Sequence, residues 1–191
     1  MEDTMRSCAP LFVLVPLATG VASCNSTKPA NTLTEPETVA LLHEIVRLFD
    51  DGIGRSSAVD CTVGGEATVT ATFDDNFEGD STWSKGDVTL VLTDCETDVV
   101  NDTLTLNGKP NVQYTGDYWV VLDDDSEVVK GEVKFMFEGA VTWLRRNGDS
   151  DTCSVDLTFE STEFEDGIPK GDFRGRMCGL DLVIGPEELF P

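Results

Sequence analysis

The chain has 191 residues and a formal net charge of −23, with 36 acidic against 13 basic side chains. So acidic a surface repels phosphate backbones, which argues against nucleic acid as a partner, and it resists anionic lipid head groups except through bridging cations. At 40% hydrophobic residues there is apolar material for one real core, and solubility or a saline habitat explains the acidity without any specific function.

In chain order, Leu11 to Ala22 is a twelve-residue apolar run. A membrane-spanning helix needs about 20 such residues, so this run has instead the length of a secretory signal's apolar region. Glu2 and Asp3 outweigh Arg6 ahead of it; a start at Met5 would give Met5-Arg6-Ser7, the positive flank such signals prefer. Val21-Ala22-Ser23-Cys24 then resembles the lipobox of bacterial lipoprotein precursors, an aliphatic residue and two small ones before the modified cysteine, with Val21 where Leu is usual. The resemblance implies removal of residues 1–23 and a thioether-linked diacylglycerol on Cys24, usually followed by N-acylation. The acyl chains, palmitate among them, would hold the chain to a lipid bilayer, at roughly 0.8 kcal/mol per buried methylene. It also implies a cell-envelope location. Asn25, rather than Asp, leaves sorting to an outer membrane open, facing periplasm or cell surface, if the host has one.

Residues 24–33 are polar, contain Pro29 and read as a tether. Residues 34–191 read as a single domain that opens with a helix at about 34–51. Thr34 is placed as N-cap, Pro36 falls in the first turn, and Glu37 can reach back as in a capping box. Leu42, Ile45, Val46 and Phe49 form one apolar stripe, with His43, Glu44, Arg47 and Asp51 on the other side. Gly52 and Gly54 are expected to stop it.

Beyond Cys61 the period becomes two. Ala67 to Phe73 alternates threonine with apolar residues. Further runs are Val88 to Leu92, Leu104 to Leu106, Val112 to Tyr114, Trp119 to Leu122, Val128 to Phe137, Val141 to Arg145, Ser154 to Phe159 and Gly171 to Met177. Turn chemistry separates them at Glu78-Gly79-Asp80, Tyr114 to Asp117, Asn147-Gly148-Asp149 and Glu165-Asp166-Gly167. The expectation is a mainly β fold: an antiparallel meander of about eight or nine strands. It must form a barrel, sandwich or strongly curved sheet to hide its apolar side, with one N-terminal amphipathic helix against it.

With Cys8 in the signal and Cys24 as anchor, Cys61, Cys95, Cys153 and Cys178 remain. An even number in an exported chain argues for two disulfides, with three possible connectivities. Both cysteine intervals contain strand-like runs around a turn, which favours Cys61–Cys95 and Cys153–Cys178. Zinc is the alternative, but there is no CxxC and only one histidine.

Catalytic constellations are missing. His43-Glu44-Ile45-Val46-Arg47 begins like a zinc-protease motif but ends in Arg, where the metal needs a second histidine. No GxSxG elbow, P-loop or dinucleotide fingerprint occurs. Carboxylate pairs are too common here to indicate glycoside chemistry. Asp123, Asp124 and Asp125 form an acidic turn that could hold Ca²⁺, though no EF-hand spacing is present. Trp119 and Trp143 lie in alternating runs and read as core, or as the lining of an apolar pocket if the sheet encloses one. The expectation is therefore a lipid-anchored envelope protein, not an enzyme and without cofactor, that serves a structural or interaction role with another envelope protein. The alternatives are a carrier or sensor of a hydrophobic small molecule or lipid, and a calcium-dependent adhesion module.

Overall fold

The structure is a computed structural model that describes residues 32–53, 58–100, 102–108, 111–123 and 128–189. Helix α1 (Glu35–Ile53) is followed by β1 (Ala58–Asp60), β2 (Gly64–Glu78), β3 (Ser81–Val99), β4 (Asp102–Asn107), β5 (Val112–Leu122), β6 (Val128–Arg145) and β7 (Ser150–Ser161). After these come a small hairpin, β8 (Phe164–Glu165) and β9 (Ile168–Pro169), then β10 (Phe173–Met177), β11 (Leu180–Ile184) and the short α2 (Pro186–Leu189). The main sheet has nine strands, all paired antiparallel.

Nine strands occupy eight lanes. β4 and β5 both lie between β3 and β6, one behind the other: Leu106 sits opposite Cys95, and Val112 opposite Leu90. The chain leaves the lane at Gly108 and re-enters it at Val112, so β4 and β5 do not pair with each other and both pair with β3 and β6. Among the described residues no pairing joins β1 to β11, so the sheet is curved and open rather than a closed barrel.

Two expected breaks are absent. Tyr114 to Asp117 reads as a turn but runs within β5, and the gap between Phe137 and Val141 lies inside β6. Gly116 is the reason for the first. It faces Gly86 across β3, and the ring of Phe135 lies over it, 3.3 Å from where a Cβ would sit. A residue typical of turns is used here to let a ring cover a bent sheet.

Register sorts the inner face into rows. Val69, Leu90, Val112, Gly139, Val155 and Met177 form one; Ala71, Val88, Tyr114, Phe137 and Leu157 form the next. Then follow Phe73, Gly86, Gly116, Phe135 and Phe159; Asp75, Ser84, Tyr118, Val133 and Ser161; and finally Phe77, Thr82, Val120 and Gly131. Helix α1 covers only the first of these and what lies behind them. Its start meets Arg145 at the far end of β6, Phe49 reaches Tyr114 and Phe137 at centroid distances of 6.1 and 5.8 Å, and Gly52 meets Val69. Gly52, expected to end the helix, lies inside it. A Cβ there would come within 2.3 Å of the Val69 side chain, so its glycine permits close approach of helix to sheet.

The apolar stripe of α1 fills the curve of the sheet. Leu41, Leu42, Ile45, Val46, Leu48 and Phe49 are buried with Leu90, Leu104, Leu106, Phe137, Trp143 and Leu157 in one cluster. At about 25 cal/mol per Å² of apolar surface removed from water, this cluster supplies the main driving force for folding.

Candidate functional site

The helix start is fixed by charge as well as by packing. The backbone N–H and hydroxyl of Thr34 donate to Glu37 Oε2 at 2.7 and 2.8 Å. This satisfies one orphan donor of the helix, although the threonine hydroxyl donates here where a full capping box has it accept. The other carboxylate oxygen, Oε1, pairs with Arg145 Nη2 at 2.8 Å, and Arg145 Nη1 meets Asp102 Oδ2 at 3.1 Å. The same guanidinium lies 5.4 Å from the Trp143 ring centroid. Burial alone would raise the Glu37 carboxyl pKa, but the Thr34 hydrogen bonds and Arg145 outweigh it and hold the group below the usual carboxylate range.

Two turns further along α1, Glu44 is buried even though it belongs to the polar side of the helix. Its oxygens accept from Arg47 Nε and Nη2, both at 2.9 Å, from the Thr62 N–H at 3.0 Å and from the Thr62 hydroxyl at 2.6 Å. Arg47 also reaches Asp51 and the carbonyl of Asp60. Burial pushes the Glu44 carboxyl up; the bonds from Arg47 and Thr62 more than reverse this. Glu44 thus ties the helix to the loop entering β2. Sequence offered one signal for it, the three-residue spacing to Arg47.

That loop is bridged to β3. Cys61 bonds Cys95, and Cys153 bonds Cys178, so each bridge joins successive cysteines. Cys95 reaches the interior through a bulge: residues 93 to 96 of β3 span the same length as residues 64 to 66 of β2. Asp94 takes a φ of 46° there, and its backbone N–H donates to Asn107 Oδ1 at 3.1 Å. The extra residue shifts the alternation, so Leu92 and Cys95 both face inward. Among the described residues one group of metal-ligand atoms lies close enough to share an ion: Glu44, Cys61 and Cys95. Both sulfurs are spent in the disulfide, which leaves no thiolates to bind one.

Beside these residues lies a cleft of about 520 Å³, bounded by α1, Thr62, the end of β3 and Leu189 of α2. His43, Arg47, Asp50, Thr97 and Asp98 line it. His43 Nε2 is buried and has no hydrogen-bond partner. Arg47 is already engaged by Glu44 and Asp51, so the cleft offers carboxylates rather than a free cation. No nucleophile and base stand together in it. A second hollow, of about 70 Å³, lies at the end of α1 beside Phe49, Tyr114 and Phe137; burial raises the Tyr114 hydroxyl pKa well above its ordinary value.

The remaining candidate residues are scattered. Trp143 is in the core at 2% exposure, whereas Trp119 is 36% exposed on the outer face beside Trp83, with Lys130 Nζ 5.5 Å from its ring centroid. Being on opposite faces, the two tryptophans share no pocket. Asp123 follows the end of β5; Asp124 and Asp125, like Cys8 and Cys24, lie outside the described residues. Two disulfides place the domain in an oxidising, non-cytoplasmic compartment. Among the described residues no helix is long and apolar enough to cross a membrane. No known protein family, curated protein or solved structure matches the chain.

Proposed function

We propose that this is an exported protein, lipid-anchored at Cys24, whose β domain acts by binding another envelope component rather than by catalysis. The observation that carries the reading is the filled interior: α1 occupies the curve of the sheet in which a carrier would hold its ligand. A drug-sized or lipid ligand needs a pocket of about 300–1,000 Å³ with mainly apolar walls. The hollow beside Phe49 is far smaller, at about 70 Å³; the cleft of about 520 Å³ has the size, but it is open to solvent and sets Glu44, Asp50 and Asp98 among the apolar Ala40, Val46 and Leu189.

Thr34 stands ten positions after Cys24, and those ten residue steps set the reach of the link. Fully extended they reach about 33–36 Å. Because α1 starts at the Arg145 end of the sheet, the β2–β3 and β5–β6 ends lie at the opposite end from Thr34.

The test is mass spectrometry of the mature protein extracted from membranes. It is expected to begin at an acylated Cys24, and Cys24→Ser is expected to appear in the soluble fraction. A mature N-terminus without acyl mass, on protein that washes off membranes, would refute the anchor. Stoichiometric lipid retained by soluble Cys24→Ser protein would support the carrier instead.

A further inference from the structure

The inner rows beyond α1 end at a sheet edge. β1 pairs with β2 only from Glu66 to Thr68. Residues 69–78 pair with β3 on one side, and among the described residues no strand lies on the other. The fully exposed part, residues 72–78, is about 23 Å of edge at roughly 3.3 Å per residue. Alternate residues there direct their N–H and C=O groups outward, a template for another strand.

Sheet edges are usually blunted by charged side chains, lysine above all, by proline, a bulge or a covering element; here the charges are Asp74, Asp75 and Glu78, all of one sign, which repel an acidic strand and not a basic one. Residues 69–78 contain no Lys, Arg or Pro, and register with β3 is unbroken from Glu66 to Glu78. Residues 72–78 are all exposed. On the inner face Phe73 and Phe77, 48% and 73% exposed, flank Asp75, whose carboxylate accepts from the Ser84 hydroxyl. On the outer face Asp74 and Glu78 stand with Thr70, Thr72 and Asn76.

We propose that this edge of β2 docks an extended, basic segment of another protein, which joins the sheet as an added strand. Main-chain bonds would supply affinity and side-chain alternation specificity. Apolar residues of the incoming strand would cover Phe73 and Phe77 on the inner face; its lysines or arginines would meet Asp74 and Glu78 on the outer face. A second copy of this chain is the wrong occupant. Two-fold pairing over the whole free stretch would bring Asp74 and Asp75 of the copies within a residue or two of each other, in chains of net charge −23. The proposal rests on the interaction reading above and names its site and partner class.

The experiment uses the membrane-extracted full chain and three eight-residue probes: alternating Lys-Val, alternating Glu-Val, and alternating Lys-Pro, which keeps the charge but lacks half the donors. Lys-Val is expected to bind at least tenfold more tightly than either control and to slow amide exchange at residues 69–78, not at 180–184. Asp74→Lys and Phe77→Ser, both at exposed positions, should each weaken it by about fivefold. Equal binding of Lys-Pro would reduce the effect to plain electrostatics and overturn the proposal. So would protection confined to β11, or self-association that protects the same amides. The N-terminal mass, read on the same preparation, reports separately on the anchor.

Discussion

The half of the sheet under α1 and the half beyond it follow the same period-two rule with different residues. Under the helix, the inner positions are Val, Leu, Phe and Met, and both disulfides and the Glu37–Arg145 and Glu44–Arg47 pairs lie there. Beyond it, inner positions include Gly86, Gly116, Ser84, Asp75 and Thr82, with Phe73 and Phe77 open to solvent. Alternation alone makes a strand; beyond the helix the β6, β7 and β10 side still buries Val133, Phe159 and Phe173, while the β2 side leaves its inner positions to solvent. Stability is thus concentrated at the α1 end, and the β2 edge of the far end is left open to solvent.

Substitutions should separate the halves by magnitude. Phe137→Ala, in the covered half, is expected to cost about 3–5 kcal/mol in urea unfolding, because its neighbours on α1 and β7 cannot collapse into the space. Replacing Cys153 and Cys178 with alanine frees a 25-residue loop and should cost about 3.5 kcal/mol, with a similar loss for Cys61 and Cys95. Gly52→Ala reverses the usual expectation. An ordinary helix would gain about 1 kcal/mol, whereas the clash with Val69 should cost about 1–3 kcal/mol in the same assay.

Acid should loosen the covered half first. Glu37 and Glu44 are both held below the ordinary carboxyl pKa. Their stabilisation is therefore complete above the unfolded value of about 4.3 and fades as pH falls through the lower folded values. The melting temperature should drop below pH 4.5, and Glu37→Gln should flatten that dependence while lowering stability at neutral pH. A variant as acid-sensitive as the parent would remove Glu37 from the account. The smallest effect belongs to the free half: Phe77→Ala should change unfolding free energy by no more than about 0.5 kcal/mol, and a larger loss would mean that the tip is part of the core.

The contrast between halves was only partly legible in the sequence. The stripe Leu42, Ile45, Val46 and Phe49 announces a helix, and the alternating runs announce a mainly antiparallel β fold, because both periods follow from local geometry. Gly116 and Gly139 misled because a glycine in a turn looks the same as one under a neighbour's ring, as Gly116 is under Phe135, or against a neighbour's backbone, as Gly139 is against Asn111, until the neighbour is placed. Leu180 to Ile184 alternates properly but is short, and it forms β11 only because Cys178 and Gly179, both at positive φ, close a tight turn back from β10. Glu44 belongs to the polar side of α1 and is nonetheless buried, since Thr62 and Arg47 satisfy its oxygens. Where α1 stops along the strands depends on which row meets Phe49, and no local pattern carries that.

The lane shared by β4 and β5 bears on how the chain assembles outside the cytoplasm. Since the chain steps out of that lane and back into it without crossing the sheet, each new segment of the sheet finds a partner already laid down: β5 on β3, β6 on β4 and β5, β10 on β7. A polypeptide delivered N-terminus first could grow the sheet one hairpin at a time, folding onto a helix that has already arrived. The cysteines follow the same order: each becomes available next to its own partner, and oxidation in order of emergence yields both bridges with no reshuffling.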